Sequence, residues 1–187
     1  MVSSAYLSGR RKWNRPQAVI FSNNSNGLSN GIPQISGTEG QDFIILSDHN
    51  RSDISFNSNR LENKKRMVNG HMRSYHIADK MEISFSYSLL PSRSFSGSQS
   101  FTASGQYVEN LVEYTADGGA GGAELLEWYS NNPGSFYMFL SYDKLENNLS
   151  NYSDVLEVFI SNFSHNVVKR GGTNHDLWDI SISLEEV

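Results

Sequence analysis

Hydrophobic and polar positions alternate most regularly from Lys80 to Leu90, where Met81, Ile83, Phe85, Tyr87 and Leu89 share one parity and Glu82, Ser84, Ser86 and Ser88 the other. A period of two marks a strand with one face buried and one wet, so an antiparallel strand is predicted here, ended by Pro91. The same period returns near the end, with Trp178, Ile180, Ile182 and Leu184 set against Asp179, Ser181 and Ser183. Together with the segment Val155 to Phe163 (VLEVFISNF), this predicts a C-terminal hairpin across the Gly171-Gly172 turn. Gln17–Ser22, Asp42–Ser47, Asp53–Asn57 and Ser135–Tyr142 have strand character as well. Asp42–Ser47 (DFIILS) is nearly continuous in apolar side chains, which predicts a central place in its sheet.

The period changes once. From Gly122 to Asn131, Ala123, Leu126 and Tyr129 form one apolar row and Leu125 and Trp128 a second, the stripe of a short helix. Glu124 suits the positive end of the helix dipole, and Asn131-Asn132-Pro133-Gly134 is a stop.

Between these elements the chain is polar. Asn69-Gly70, flanked by KKRMV and HMRSYH, predicts a hairpin over 64–76 with a type I′ turn, because both residues tolerate positive φ. Its arms are basic and polar, a poor core element, so the hairpin is expected to project. Residues 23–41, rich in Asn and Gly, and 92–105 (SRSFSGSQSFTASG) read as long loops, with Phe95 and Phe101 in the second as pegs for a neighbour. Residues 1–15 read as a basic arm, followed by one domain over 16–187. The sum predicts a mainly β fold, an antiparallel β-sandwich or barrel with one flanking α-helix. No fixed internal repeat speaks for a solenoid or propeller.

Composition narrows the chemistry. A length of 187 residues suits a single domain, and 12% aromatic residues are enough to build a core although only 19% are charged. Cysteine is absent, which excludes disulfides, thiolate catalysis and Cys-ligated zinc. No apolar run approaches the roughly 20 residues of a membrane-spanning helix, so neither a secretory leader nor a membrane anchor is expected. The net charge of -5 conceals an asymmetry: residues 1–106 hold 12 Lys/Arg against 7 Asp/Glu, and residues 107–187 hold 3 against 13. Copies attract one another if these halves occupy opposite sides; the effect cancels if they interleave.

Catalytic patterns are missing. Gly118-Gly119-Ala120-Gly121-Gly122 precedes the helix but lacks the Lys-Ser/Thr of a phosphate loop, and Glu124 would repel phosphate. Its glycines are read as a flexible helix entry that allows another backbone, such as a second subunit's, to come close. The histidines His49, His71, His76, His165 and His175 have no metal-ligand spacing and are expected at the surface. Ser47, Asp48 and His49 are consecutive, which precludes the oriented relay of a hydrolase. No enzyme activity, metal or cofactor is expected. Nucleic-acid recognition is disfavoured by the acidic pI near 5.5.

What remains is the stuff of assembly. The basic arm, the hairpin, the helix in GAELLEWYSNNPGSFYMFLSYD and the closing VFISNFSHNVVKRGGTNHDLWDISISLEEV resemble tail proteins of double-stranded DNA bacteriophages, above all the tail-tube family and its relatives in the distal tail and baseplate. The likeness is carried by roughly the last 75 residues, through the Lys169–Gly172 turn and the alternating strand that ends in Leu-Glu-Glu. It implies a virion protein assembled in the host cytoplasm. Its copies, with other tail proteins, would form stacked, hexameric rings around a lumen that double-stranded DNA traverses without specific recognition. The residues expected to make the contacts are Arg10, Arg11, Lys12, Trp13, Lys65, Arg66, Met67, His71, Met72, Arg73, Tyr75, Phe95, Phe101, Lys169 and Arg170. The competing reading is a carbohydrate-binding β-sandwich, with Trp13, Tyr75, Phe95, Phe101 and Tyr107 as a sugar platform and loop Asn and Asp holding calcium.

Overall fold

A computed structural model describes residues 19–23, 28–29, 32–33, 40–101, 107–140, 154–170 and 175–187. The fold is mainly β. Among these residues eleven strands and one helix follow in the order β1 (Val19–Ser22), β2 (Leu28–Ser29), β3 (Ile32–Pro33), β4 (Phe43–Ile45), β5 (Ser55–Arg66), β6 (Met72–Pro91), β7 (Phe95–Phe101), β8 (Tyr107–Glu113), α1 (Gly122–Asn131), β9 (Phe136–Leu140), β10 (Asp154–Lys169) and β11 (Leu177–Glu186). Seven of them form one antiparallel sheet in the order β4-β1-β9-β10-β11-β6-β5, and the pairs β2-β3 and β7-β8 form two small sheets. The large sheet is open, so the architecture is sandwich-like rather than a barrel.

The alternating strands behave as their periodicity requires. Ile83, Phe85 and Tyr87 of β6 and Ile180, Ile182 and Leu184 of β11 are buried in one cluster with Val158, Phe136, Met138 and the helix residues Leu125 and Trp128. Burial pushes the Tyr87 phenol far above its ordinary pKa. The C-terminal hairpin pairs β10 with β11 as expected. Leu89 departs from the pattern: it is exposed at φ +53, while Leu90 next to it is fully buried. A β-bulge explains the flip, since the register jumps between Trp178 and Ile180 and the Leu89 N–H donates to Asp179 Oδ1 at 2.8 Å.

Four other expectations are corrected. β4 lies at the edge of the sheet, not at its centre. Its apolar run is nonetheless accounted for, because Phe43 and Ile45 are buried in one cluster with Ile20 and Phe139, while Ile44 faces the main core. The free edge is covered by the Gly-rich segment: the Ala120 N–H donates to the Ile45 carbonyl at 2.8 Å, and Leu46 and Ala120 form a parallel bridge. Residues 92–105 are not all loop, since Phe95–Phe101 pairs with Tyr107–Glu113 as a hairpin. In the helix it is the Leu125 and Trp128 row that is buried, with Tyr129 exposed and stacked on Phe163 at a centroid distance of 4.8 Å. The hairpin turn is not type I′, because Asn69 keeps a negative φ and only Gly70 is positive, at +82°. The Gly70 N–H donates to the Met67 carbonyl and the Met67 N–H to the His71 carbonyl, a three-residue loop whose glycine takes the left-handed position.

The Gly-rich segment owes its position to two buried carboxylates. Asp117 accepts from Ser47 Oγ at 2.6 Å, Asp48 N at 2.8 Å and Gly119 N at 3.0 Å. Glu124 accepts from Ser94 Oγ and Gly121 N, both at 2.7 Å. The close backbone approach expected of these glycines is made within the chain: a Cβ on Gly119 would lie 2.6 Å from Ser47 Cα, and one on Gly121 2.6 Å from the Arg93 carbonyl carbon. Ser47 is fully buried and spends its hydroxyl on Asp117, while His49 Nδ1 accepts from Ala116 N. That region is scaffold.

Candidate assembly interface

Partner strands end before β6 does. β11 follows β6 only from Pro91 to Glu82, and from Met81 to Met72 the sole partner strand among the described residues is β5. At ~3.3 Å per residue, this two-stranded ribbon reaches about 30 Å beyond the sheet. Nearly every residue on it is exposed, on both faces. A bare two-stranded ribbon buries too little to be stable alone in water, so its order here leans on continuity with the sheet.

Cross-strand partners share a face, and the register therefore sorts the ribbon into two surfaces. One continues the core side of the sheet: Phe56 stands opposite Ile83, then Arg60 opposite Asp79, Glu62 opposite His76 and Lys64 opposite Ser74. This face is tied together by ion pairs. Arg60 Nε lies 3.1 Å and His76 Nε2 3.0 Å from Asp79 Oδ1, while Glu62 pairs with Lys64 and accepts from Ser74. His76 and Arg60 hold the Asp79 carboxyl below its ordinary pKa, and Lys64 and Ser74 do the same for Glu62.

The other face carries Leu61 opposite Ala78, Asn63 opposite Tyr75, Lys65 opposite Arg73, and Met67 beside His71. No carboxylate among the described residues lies within ion-pair distance of Lys65 or Arg73. Around them Leu61, Met67 and Tyr75 are exposed, as are Val68 at the tip and Ile77, the extra residue of a bulge in β6 opposite Leu61 and Glu62. An exposed apolar set of this size beside unpaired cations has the character of an interaction surface.

Of the residues expected to form contacts, Lys65, Arg66, Met67, His71, Met72, Arg73 and Tyr75 are gathered on this ribbon, all exposed. Lys169 and Arg170 are exposed at the far end of the sheet, where Lys169 pairs with Leu177 and Leu177 with Pro91, away from the ribbon tip. Phe95 is half-buried at the start of β7, and the backbone of Phe101 stands opposite Tyr107. Arg10, Arg11, Lys12 and Trp13 lie outside the described residues, as does the arm to which they belong. Leu61, Val68 and Ile77 were not among the expected residues: Leu61 and Val68 were visible as apolar residues of the arm and the tip, but the exposure of Ile77 follows from a bulge that no local pattern announces. The two charged halves of the chain interleave in the sheet, with β9, β10 and β11 set between β1 and β6.

Among the described residues, no group of three or more acidic or histidine side chains is placed to hold a metal ion, and no helix is long and apolar enough to cross a membrane. No protein-family model and no curated protein matches the chain.

Proposed function

We propose that the chain is a structural subunit that assembles with copies of itself, in the manner of the phage tail-tube proteins it resembles, into stacked rings around a conduit for DNA. The observation that carries this reading is the ribbon, which holds apolar and cationic side chains out in solvent on a support that makes sense once a neighbour covers it. A tube subunit and a distal adaptor differ in how far such stacking continues.

Negative-stain microscopy and sedimentation velocity of the purified chain test it. Rings or tubes are expected, long stacks for a tube protein and single rings for an adaptor. A chain that stays monomeric at high concentration rejects assembly. Joining Asn59 to Lys80 through a short Asn-Gly turn is expected to leave a folded, non-assembling subunit, and removing residues 1–15 to block stacking without unfolding.

One observation favours the carbohydrate reading. The wet face of β6, β11 and β10 is lined by Ser86, Ser88, Asp179, Ser181, Ser164 and Asn166 around a groove of about 350 Å³, a hydroxyl and amide surface suited to sugar. Glycan-array binding by a chain that remains monomeric would put this reading ahead.

A further inference from the structure

The ribbon's outer face continues without interruption onto the wet face of the main sheet. Since β5 runs without a bulge of its own, Asn57, Asn59, Leu61, Asn63 and Lys65 point to one side, and so do their partners Glu82, Lys80, Ala78, Tyr75 and Arg73. At the ribbon end of this surface, Lys65 stands directly opposite Arg73. At the sheet end Glu82 stands directly opposite Glu185, and Phe159, opposite Glu185 on β10, shares the face with Glu157 two residues earlier. Glu82, Glu157 and Glu185 are all exposed, and Phe159 is 36% exposed.

Like charges set directly opposite across strands repel, and the chain places one such pair at each end of the same face. Neither pair is neutralised from within. Glu82 accepts from Asn59 Nδ2 and Glu157 from Ser135 Oγ, both uncharged donors, and no described cation is within ion-pair distance of the three carboxylates. Lys80, between the two ends, gives its ammonium to the Val187 carbonyl oxygen. From Lys65 to Asn57 the patches are eight residues apart along β5, about 27 Å at ~3.4 Å per residue, too far to satisfy each other within one chain. Each has an exposed aromatic ring, Tyr75 in the basic patch and Phe159 in the acidic one.

We infer that the acidic patch Glu82, Glu157, Glu185 and Phe159 is the receiving surface for the ribbon's Lys65, Arg73 and Tyr75 from a second copy of this chain. This inference rests on the assembly reading above and names the surface through which it works. The contact joins two different patches, so it links copies head to tail and closes into a ring where the rotation per copy allows. Both repelling pairs are relieved in one step, which makes the contact salt-dependent.

Charge reversal of the full chain, followed by sedimentation velocity at low and high salt, tests it. Lys65→Glu with Arg73→Glu, and separately Glu82→Lys with Glu185→Lys, are each expected to weaken self-association at least tenfold while circular dichroism and thermal melting stay those of the parent. Mixing the two variants, or combining all four substitutions in one chain, is expected to restore association, because the pairing of signs is restored. Lys65→Gln with Arg73→Gln gives an intermediate loss and controls for reversal-induced misfolding. If the parent chain assembles and folded reversal variants assemble equally well, this contact is wrong and the assembly reading stands. Failure of the four-substitution chain to recover would also overturn it, and a parent chain that never associates removes both.

Discussion

The two ends of the large sheet are made of the same backbone and obey opposite rules. At the β4-β1-β9 end, Val19, Phe21, Ile44, Phe136, Met138 and Leu140 are buried on one face and Ile20, Phe43, Ile45 and Phe139 on the other, and the outer edge is closed by the Gly-rich segment. Along β5 and the ribbon half of β6, nearly all side chains on both faces are exposed, and the outer edge of β5 has no partner strand among the described residues. Positive charge along that edge, from Arg60, Lys64, Lys65 and Arg66, discourages indiscriminate strand addition while leaving room for a partner of opposite sign. Stability is concentrated where both faces are covered, and the proposed recognition where neither is.

The largest test of this division is a pair of truncations measured by urea unfolding. Phe21→Ala removes a ring that is 1% exposed and 4.9 Å from that of Phe136, and should cost about 3–5 kcal/mol. Tyr75→Ala on the ribbon should change stability by less than about 0.5 kcal/mol while weakening self-association. Equal losses from the two would mean that the ribbon is part of the cooperative core.

Next come the devices that close the β4 edge. Asp117→Ala strands three donors, Ser47 Oγ, Asp48 N and Gly119 N, and should cost about 3 kcal/mol. Gly119→Ala puts a Cβ against the Ser47 backbone and should cost about 1–3 kcal/mol, with amide exchange of β4 accelerated ahead of β11. Wild-type exchange in β4 of the Gly119→Ala protein would show that the edge does not depend on this closure.

The smallest effect is that of pH on the ribbon's inner face. Glu62 and Asp79 have lower pKa values folded than unfolded, so their ion pairs favour the ordered ribbon at neutral pH. That contribution disappears as pH falls through the lowered folded values, below the usual carboxylate range. Both groups are solvent-exposed and the effect is correspondingly slight. In an NMR titration the ribbon amides around Glu62 and Asp79 should therefore lose protection before those of β9 and β11. Simultaneous loss would contradict the independence of the two ends.

Much of this was legible in local pattern. The alternation in 80–88 and 178–184 identified the buried faces of β6 and β11, the helix was bounded correctly at Gly122 and Asn131, and the basic hairpin was recognised as a poor core element. The misses have a common source. Phe95–Phe101 reads as a loop because Ser and Gly have little strand preference, and it pairs because Tyr107–Glu113 lies opposite it. Leu89 left the buried face because a bulge opposite Asp179 changed its parity.

By itself, then, the order of residues determined that the alternating segments extend, which side of them mostly turns from water, and where the basic hairpin reverses, since periodicity and turn chemistry act over a few neighbouring residues. The tertiary structure alone decided which strand stands beside which. It put DFIILS at an edge under a glycine-rich cover, let β6 outrun β11, and set Lys65 against Arg73 and Glu82 against Glu185. Those outcomes depend on hydrogen-bond register between segments far apart in the chain, where a shift of one residue would have turned every one of these side chains to the opposite face.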